Sequence, residues 1–171
     1  MSQAPKEIES VFVATPEMLR RLPGLLRDMV PGIRRPVRHV MCDRYCDTAN
    51  WTLFRAGLAC RLRLESGRTV LGVKSLSPLR GGLARRRELE EVLRGPPPVF
   101  PGPLPGRRIS KLLRSYVADQ KLRVLFEVRQ QRTVYRVRYA AALLLVSLDK
   151  VWWRGRRSAG PLCMVEAELR E

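Results

Sequence analysis

Acid pairs spaced two residues apart constrain this chain more than any other feature. Glu7-Ile8-Glu9, Glu88-Leu89-Glu90 and Glu166-Ala167-Glu168 repeat one Glu-x-Glu pattern from its beginning to its end. Acids are scarce here, 16 Asp and Glu against 33 Lys and Arg, so placing six of them in three such pairs is a specific allocation. On a strand, residues i and i+2 share a face, which gives each segment an apolar back and a charged front. Like charges on one strand face repel unless a cation lies between them. That conflict disappears if the charged faces converge on a site holding divalent metal, which favours carboxylate oxygen. A complementary pattern lies at Arg61-Leu62-Arg63. There two guanidiniums share a face, while Cys60, Leu62 and Leu64 share the other, and each fork can bind phosphate oxygens bidentately.

The same alternation runs through most of the chain. Strands are expected over 6–14, 34–47, 58–64, 69–74, 84–93, 122–139, 140–153 and 162–171. Glu65-Ser66-Gly67-Arg68 reads as a hairpin turn. Thr15-Pro16-Glu17 opens a helix with a hydroxyl cap, a proline in the first turn and an acid at the positive end. Met18, Leu19, Leu22, Leu25, Leu26 and Met29 follow at helical spacing and read as core, with Pro31-Gly32 as the stop. A second helix is expected over 108–119, with Ile109, Leu112, Leu113 and Tyr116 on one side. The stretch 75–83 reads as a loop, and 95–106 as a proline-rich connector. Strands joined mostly by hairpins make an antiparallel sheet. With polar and apolar faces on nearly every strand, the expected fold is α+β: an eight-stranded antiparallel closed barrel with a polar lumen and flanking helices.

At 171 residues the chain suits a single domain over 1–171. Its longest apolar run, 140–146, is strand-sized, so no membrane helix is expected. The first residues have no apolar signal core, which makes a cytoplasmic location the expectation. The formal charge of +17 implies attraction to polyanions and says nothing about fold. No recognised nucleic-acid motif is present, and Tyr135, Tyr139, Trp152 and Trp153 read as packing, so no specific nucleic-acid partner is expected. Oligomeric state is not encoded in any pattern found. Cys42, Cys46, Cys60 and Cys163 lack zinc-ligand spacing and read as reduced thiols in or near the core. His39 is the sole histidine, which leaves a His-based triad or multi-His zinc site little to build on.

Taken in order, these residues resemble the CYTH domain, or triphosphate tunnel metalloenzyme, family. The resemblance starts at Glu7-Ile8-Glu9 and passes through Tyr45-Cys46-Asp47-Thr48, Leu53 and Gly57 to Arg61-x-Arg63. It continues with Lys74, Arg86-x-Glu88-x-Glu90, Arg132, Asp149 and Glu166-x-Glu168. It implies hydrolysis or cyclisation of triphosphorylated substrates with Mg²⁺ or Mn²⁺. By this likeness Glu7, Glu9, Asp149, Glu166 and Glu168 would hold metal, and Arg61, Arg63, Lys74, Arg86 and Arg132 would cradle phosphates. Glu88 and Glu90 would be the catalytic acids that orient those cations and contact metal or water. The reading that follows is a metal-dependent triphosphatase acting on inorganic triphosphate, polyphosphate or a related small triphosphate compound. Two departures support the alternative of a non-catalytic polyphosphate- or nucleotide-binding module. Val11 stands where the family has a lysine, and Gln130-Gln131 where many members have another basic residue. A class IV-type adenylyl cyclase shares the scaffold and is the further alternative.

Overall fold

The structure is a computed structural model that describes residues 6–77, 83–100, 107–139, 142–155 and 158–170, with Lys6, Glu7 and Tyr139 described by backbone alone. Parts of the expected 75–83 loop and 95–106 connector lie outside the described residues. The elements run β1 (Lys6–Ala14), α1 (Pro16–Met29), β2 (Val37–Asp47), α2 (Thr52–Arg55), β3 (Leu58–Glu65), β4 (Arg68–Ser75) and β5 (Ala84–Leu93). After these come α3 (Arg108–Val117), β6 (Arg123–Tyr139), β7 (Ala142–Arg154) and β8 (Ala159–Arg170). All strand pairs are antiparallel, and the order β1-β5-β4-β3-β2-β6-β7-β8 closes on itself. The expected eight-stranded barrel is therefore the fold. Closure falls to β1, which pairs with β5 along its first half and with β8 along the rest.

Sequence parity decides what lines the inside. The β3–β4 hairpin turns on Ser66 and Gly67, both at positive φ, a two-residue turn whose twist matches its strands. It sets Arg61 opposite Gly72 and Arg63 opposite Val70, so Leu62, Cys60 and Leu71 face outward. Those outward residues pack with Cys46, Val73, Leu53, Ile109, Leu113 and Val117, a buried layer between the wall and helices α2 and α3. A side chain such as Leu62, which is fully buried, contributes roughly 1.5–3 kcal/mol through lost water contact.

Two acids anchor those helices. Buried Asp47 accepts backbone N–H bonds from Thr48 (2.7 Å) and Leu53 (2.9 Å) at Oδ1 and from Phe54 (2.9 Å) at Oδ2, fixing α2 to the end of β2. Glu91 on β5 accepts from the backbone N–H groups of Arg107 (2.8 Å), Arg108 (3.1 Å) and Ile109 (3.3 Å). It thus serves as the cap that Arg107 cannot supply to α3.

Helix α1 begins as its sequence predicts, with Thr15 Oγ1 accepting from Met18 N at 3.1 Å. Its Leu19, Leu22 and Leu26 pack on Tyr135, Val137, Leu148 and Cys163 of the opposite wall. Met18, Leu25 and Met29, read as core from their spacing, are exposed. A single helix laid on a curved wall buries one stripe, and these three fall on the neighbouring one. Leu112 and Tyr116 of α3 are likewise exposed, and Val117 takes the buried place. Cys46, Cys60 and Cys163 are buried free thiols, and Cys42 is a half-buried one. No helix among the described residues is long and apolar enough to cross a membrane.

Candidate active site

The strand faces that carry charge in the sequence are the faces turned inward. Among the described residues, lumen ion pairs join six cations to seven carboxylates. The cations are Arg61, Arg63, Lys74, Arg86, Arg132 and Arg170; the acids are Glu9, Asp43, Glu88, Glu90, Asp149, Glu166 and Glu168. These paired groups nearly cancel one another in charge. The +17 of the chain lies elsewhere.

One cluster spans β2 to β5 and reaches β1. Arg61 Nη2 donates to Glu88 Oε1 and Glu90 Oε1, both at 2.9 Å, and its Nη1 lies 3.7 Å from Asp43 Oδ2. Arg63 grips Asp43 with two parallel bonds of 2.8 Å, from Nε and Nη2. Lys74 Nζ stands 3.5 Å from Glu9 Oε2 and 4.0 Å from Glu88 Oε2. Arg86 Nη1 forms an ion pair with Glu9 Oε1. Gly72 makes room for this arrangement, since a Cβ there would sit 3.3 Å from Arg61 Nε. Arg61, Lys74 and Arg86, with Tyr45, Ala59, Ser75 and Leu76, line a cavity of about 120 Å³.

A second cluster belongs to β6, β7 and β8. Arg132 holds Asp149 with bonds of 2.9 and 2.8 Å and Glu166 with bonds of 3.3 and 2.7 Å. Asp149 is fully buried, and Gln130 adds a hydrogen bond to it. Burial pushes the Asp149 carboxyl up from its ordinary value, and Arg132 works in the other direction. For Arg61 and Arg132 burial disfavours the charge, but Asp43 and Glu88 around the first, and Asp149 and Glu166 around the second, outweigh it. Both guanidiniums stay charged.

Of the residues singled out in the sequence, Glu9, Arg61, Lys74, Arg86, Glu88 and Glu90 share the first cluster with Arg63. Arg132, Asp149 and Glu166 form the second. Glu168 stands opposite Glu9 in the β1–β8 ladder and pairs with Arg170 at 3.0 Å. Glu7 pairs with Arg86 in the backbone ladder, and its side chain lies outside the described residues. Val11 falls opposite Glu166. Sequence reasoning missed Asp43, the carboxylate shared by both arginines. It shares parity with Met41 and Tyr45, but nothing in the sequence alone gives the register that brings it to Arg63. The partner of the sole histidine was missed as well: His39 Nδ1 meets Glu65 Oε1.

The donors fit a hard divalent cation. Glu9 and Glu168 are 2% and 7% exposed and directly opposed across two strands, an arrangement that a cation relieves. Glu9 Oε1 meets only the Arg86 Nη1 ion pair, outside hydrogen-bond alignment, and Arg86 Nε is buried without an acceptor. Among the described residues no three Cys, His, Asp or Glu side chains converge as a ready cage. Mg²⁺ is characteristically bound by one or two carboxylates plus substrate phosphates and water, and the opposed Glu9 and Glu168 would supply the protein's share of such a set.

No family profile and no curated protein matches the chain. Solved structures do. A candidate adenylyl cyclase from Hippeastrum, described as having a dominant triphosphatase activity, is similar with a TM-score of 0.67 at 21% identity, covering 96% of this chain and 80% of that one. A candidate adenylate cyclase from Bacillus halodurans gives 0.60 at 16% identity, covering 95% and 81%. A Pyrococcus horikoshii protein gives 0.60 at 18%, covering 96% and 78%. The likeness is one of fold: this chain has the eight-stranded tunnel barrel of CYTH-type structures.

Proposed function

We propose that the lumen binds the phosphates of a small triphosphorylated compound, inorganic triphosphate being the simplest, and hydrolyses it with Mg²⁺ or Mn²⁺. The observation that carries this reading is the small cavity walled by Arg61, Lys74 and Arg86, with every one of those cations already seated on a carboxylate. Phosphate oxygens replace those carboxylate contacts on guanidiniums that stay charged, so the site is preorganised for a polyanion. Arg63 and Arg132 extend the phosphate path along the lumen. Glu9 and Glu168 hold the metal, with Glu166, Asp149 and Glu7 as the further acids of the set. The bound metal supplies charge neutralisation and polarisation at the phosphoryl group. Glu88 and Glu90 keep Arg61 aimed into the lumen, and Glu90, the more exposed of the two, orients a water in this reading. The names of two of the structural relatives, and the triphosphatase activity ascribed to one of them, support the substrate class.

The test is phosphate release from tripolyphosphate, ATP and thiamine triphosphate, each with Mg²⁺ and with Mn²⁺. Glu166→Gln and Glu168→Gln, checked for native circular dichroism, are expected to abolish release. Unchanged turnover in both would overturn the proposal. A second reading, binding without turnover, is favoured by Val11 opposite Glu166 and by the full engagement of Asp149 with Arg132. Metal-independent tripolyphosphate binding with no release under any divalent ion would establish it. Formation of cyclic AMP from ATP would instead mark a cyclase.

A further inference from the structure

A second cavity, about 700 Å³, shares no lining residue with the Arg61–Lys74–Arg86 cavity; Val40, Arg129, Gln131, Trp152 and Arg154 line it, with Gln130 and Trp153 at its inner edge. Val40, Arg129, Gln131 and Trp152 have the outward parity of their strands, because Gln130, one residue from two of them, is an inward, buried residue that binds Asp149. The ladder sets Val40 beside Gln131 and Arg129 beside Trp152, one row on the outer wall. Helix α1 covers the wall further along β6 and β7, at Tyr135, Val137 and Leu148, while α2 and α3 cover β2 to β5. Among the described residues, no helix packs on the row between them. Val40 is 72% exposed; Trp153, which has the inward parity of Asp149, is 38% exposed, so the reading of the tryptophans as pure packing does not hold for it.

Trp152 is also fixed in place. A Cβ on Gly160 would lie 2.9 Å from Trp152 Cα and 2.9 Å from its Cδ1, so the corner entering β8 sits directly against the indole. Around this aromatic face stand Arg129, Arg154 and Lys150, the last opposite Gln131 in the ladder. Glu127 is the acid of the group, held between Arg44 at 3.5 Å and Arg129 at 3.2 Å. Arg44, Arg129, Lys150 and Arg154 against this one acid leave the wall basic, in keeping with the +17 of the chain.

A groove with a fixed indole, guanidiniums and a side-chain amide has the chemistry that recognises unpaired nucleotides. Bases stack on indoles, phosphates pair with arginines, and amides meet base edges. We propose that this wall of β2, β6 and β7 binds a single-stranded nucleic-acid segment, independently of whatever the lumen does.

The experiment is fluorescence anisotropy of the intact chain with a short fluorescein-labelled oligouridylate, over a salt series. Binding is expected, with Trp152→Ala weakening it by about tenfold, within the range of one lost base stack. The exposed pair Arg129→Gln/Arg154→Gln is expected to lower the slope of log affinity against log salt by roughly 1 to 2. Lys74→Gln, in the lumen, is expected to leave binding unchanged. Because Trp152→Ala removes a packed ring, the arginine pair carries the test if that variant fails to fold. The proposal is overturned if no binding occurs at low salt, or if neither wall change affects it. Loss of binding in Lys74→Gln would place the strand in the lumen and overturn it too. Equal, Trp152-dependent affinity for long-chain polyphosphate would show that bases are not read. Preferential capture by anionic phosphatidylserine vesicles, with no oligonucleotide bound, would make the wall a membrane face instead.

Discussion

Arg61 and Arg129 are the same side chain in opposite circumstances. Arg61 is held in the lumen by Asp43, Glu88 and Glu90, none of which can rotate away without abandoning it. Arg129 stands on the outer wall, 69% exposed, with Glu127 at 3.2 Å. In the poorly solvated interior each charge depends on its partners, so geometry is enforced by the cost of leaving a charge alone. Outside, water and salt screen the same contact down to a few tenths of a kcal/mol. Inside, the charges build a site; outside, they set what the protein is drawn towards.

That contrast can be broken most sharply at Asp43. Asp43→Asn leaves Arg61 and Arg63 without their shared buried carboxylate, and a loss of about 3–5 kcal/mol in unfolding free energy is expected from urea titration. A loss under about 1 kcal/mol would mean that the lumen is wetter than its burial indicates. Gly72→Ala is the finer probe of the same side. Its new methyl crowds Arg61 Nε and Cγ, so a cost of roughly 1 kcal/mol is expected from overpacking, together with weaker tripolyphosphate binding by calorimetry. Intact binding would show that Arg61 can shift without consequence.

Glu91 lies between the two extremes, half-buried and bonded to three backbone N–H groups. Glu91→Ala should cost about 1 kcal/mol, the usual value of a lost helix cap. The backbone N–H of Arg107 leads the groups that hold its carboxyl below the ordinary carboxylate range. Its contribution is therefore fully present above the unfolded value near pH 4.3 and is lost as pH falls through the lower, folded value. Hydrogen exchange in α3 should accelerate in that acid window in the native chain and show no such step in the alanine variant. The smallest effect belongs to the outer face: Arg85→Gln, exposed on β5, should change stability by less than about 0.5 kcal/mol. A larger change would bring the wall nearer to the lumen in character.

The alternation that made the barrel legible is the one feature here that needs no tertiary knowledge. Parity alone turned Glu9, Arg61, Arg63, Glu88, Glu90 and Glu166 to one side, and a closed sheet has only one inside. What stayed hidden depended on register and contact width. Asp43 meets Arg63 only because β2 and β3 pair with Tyr45 opposite Arg61. Asp47, at the end of the expected second strand, holds the amide of Thr48 and two amides of α2, and the latter pair requires knowing where Leu53 and Phe54 return in space. Met18, Leu25 and Met29 have the spacing of a buried stripe, yet the wall beneath α1 takes only Leu19, Leu22 and Leu26. Helical periodicity specifies which residues can share a face, and the partner surface decides how much of that face is used.

The position of β1 between β5 and β8 has a consequence for how the protein is made. Glu9 finds its ladder partners near residue 84 on one side and at residue 168 on the other, so the ring cannot shut until the final strand is available. Pairings that join distant parts of a chain form slowly, and until they do both strand edges are bare. A ribosome-bound chain lacking β8 therefore has no tunnel at all, and whatever chemistry the interior performs begins only once synthesis has delivered its last ladder.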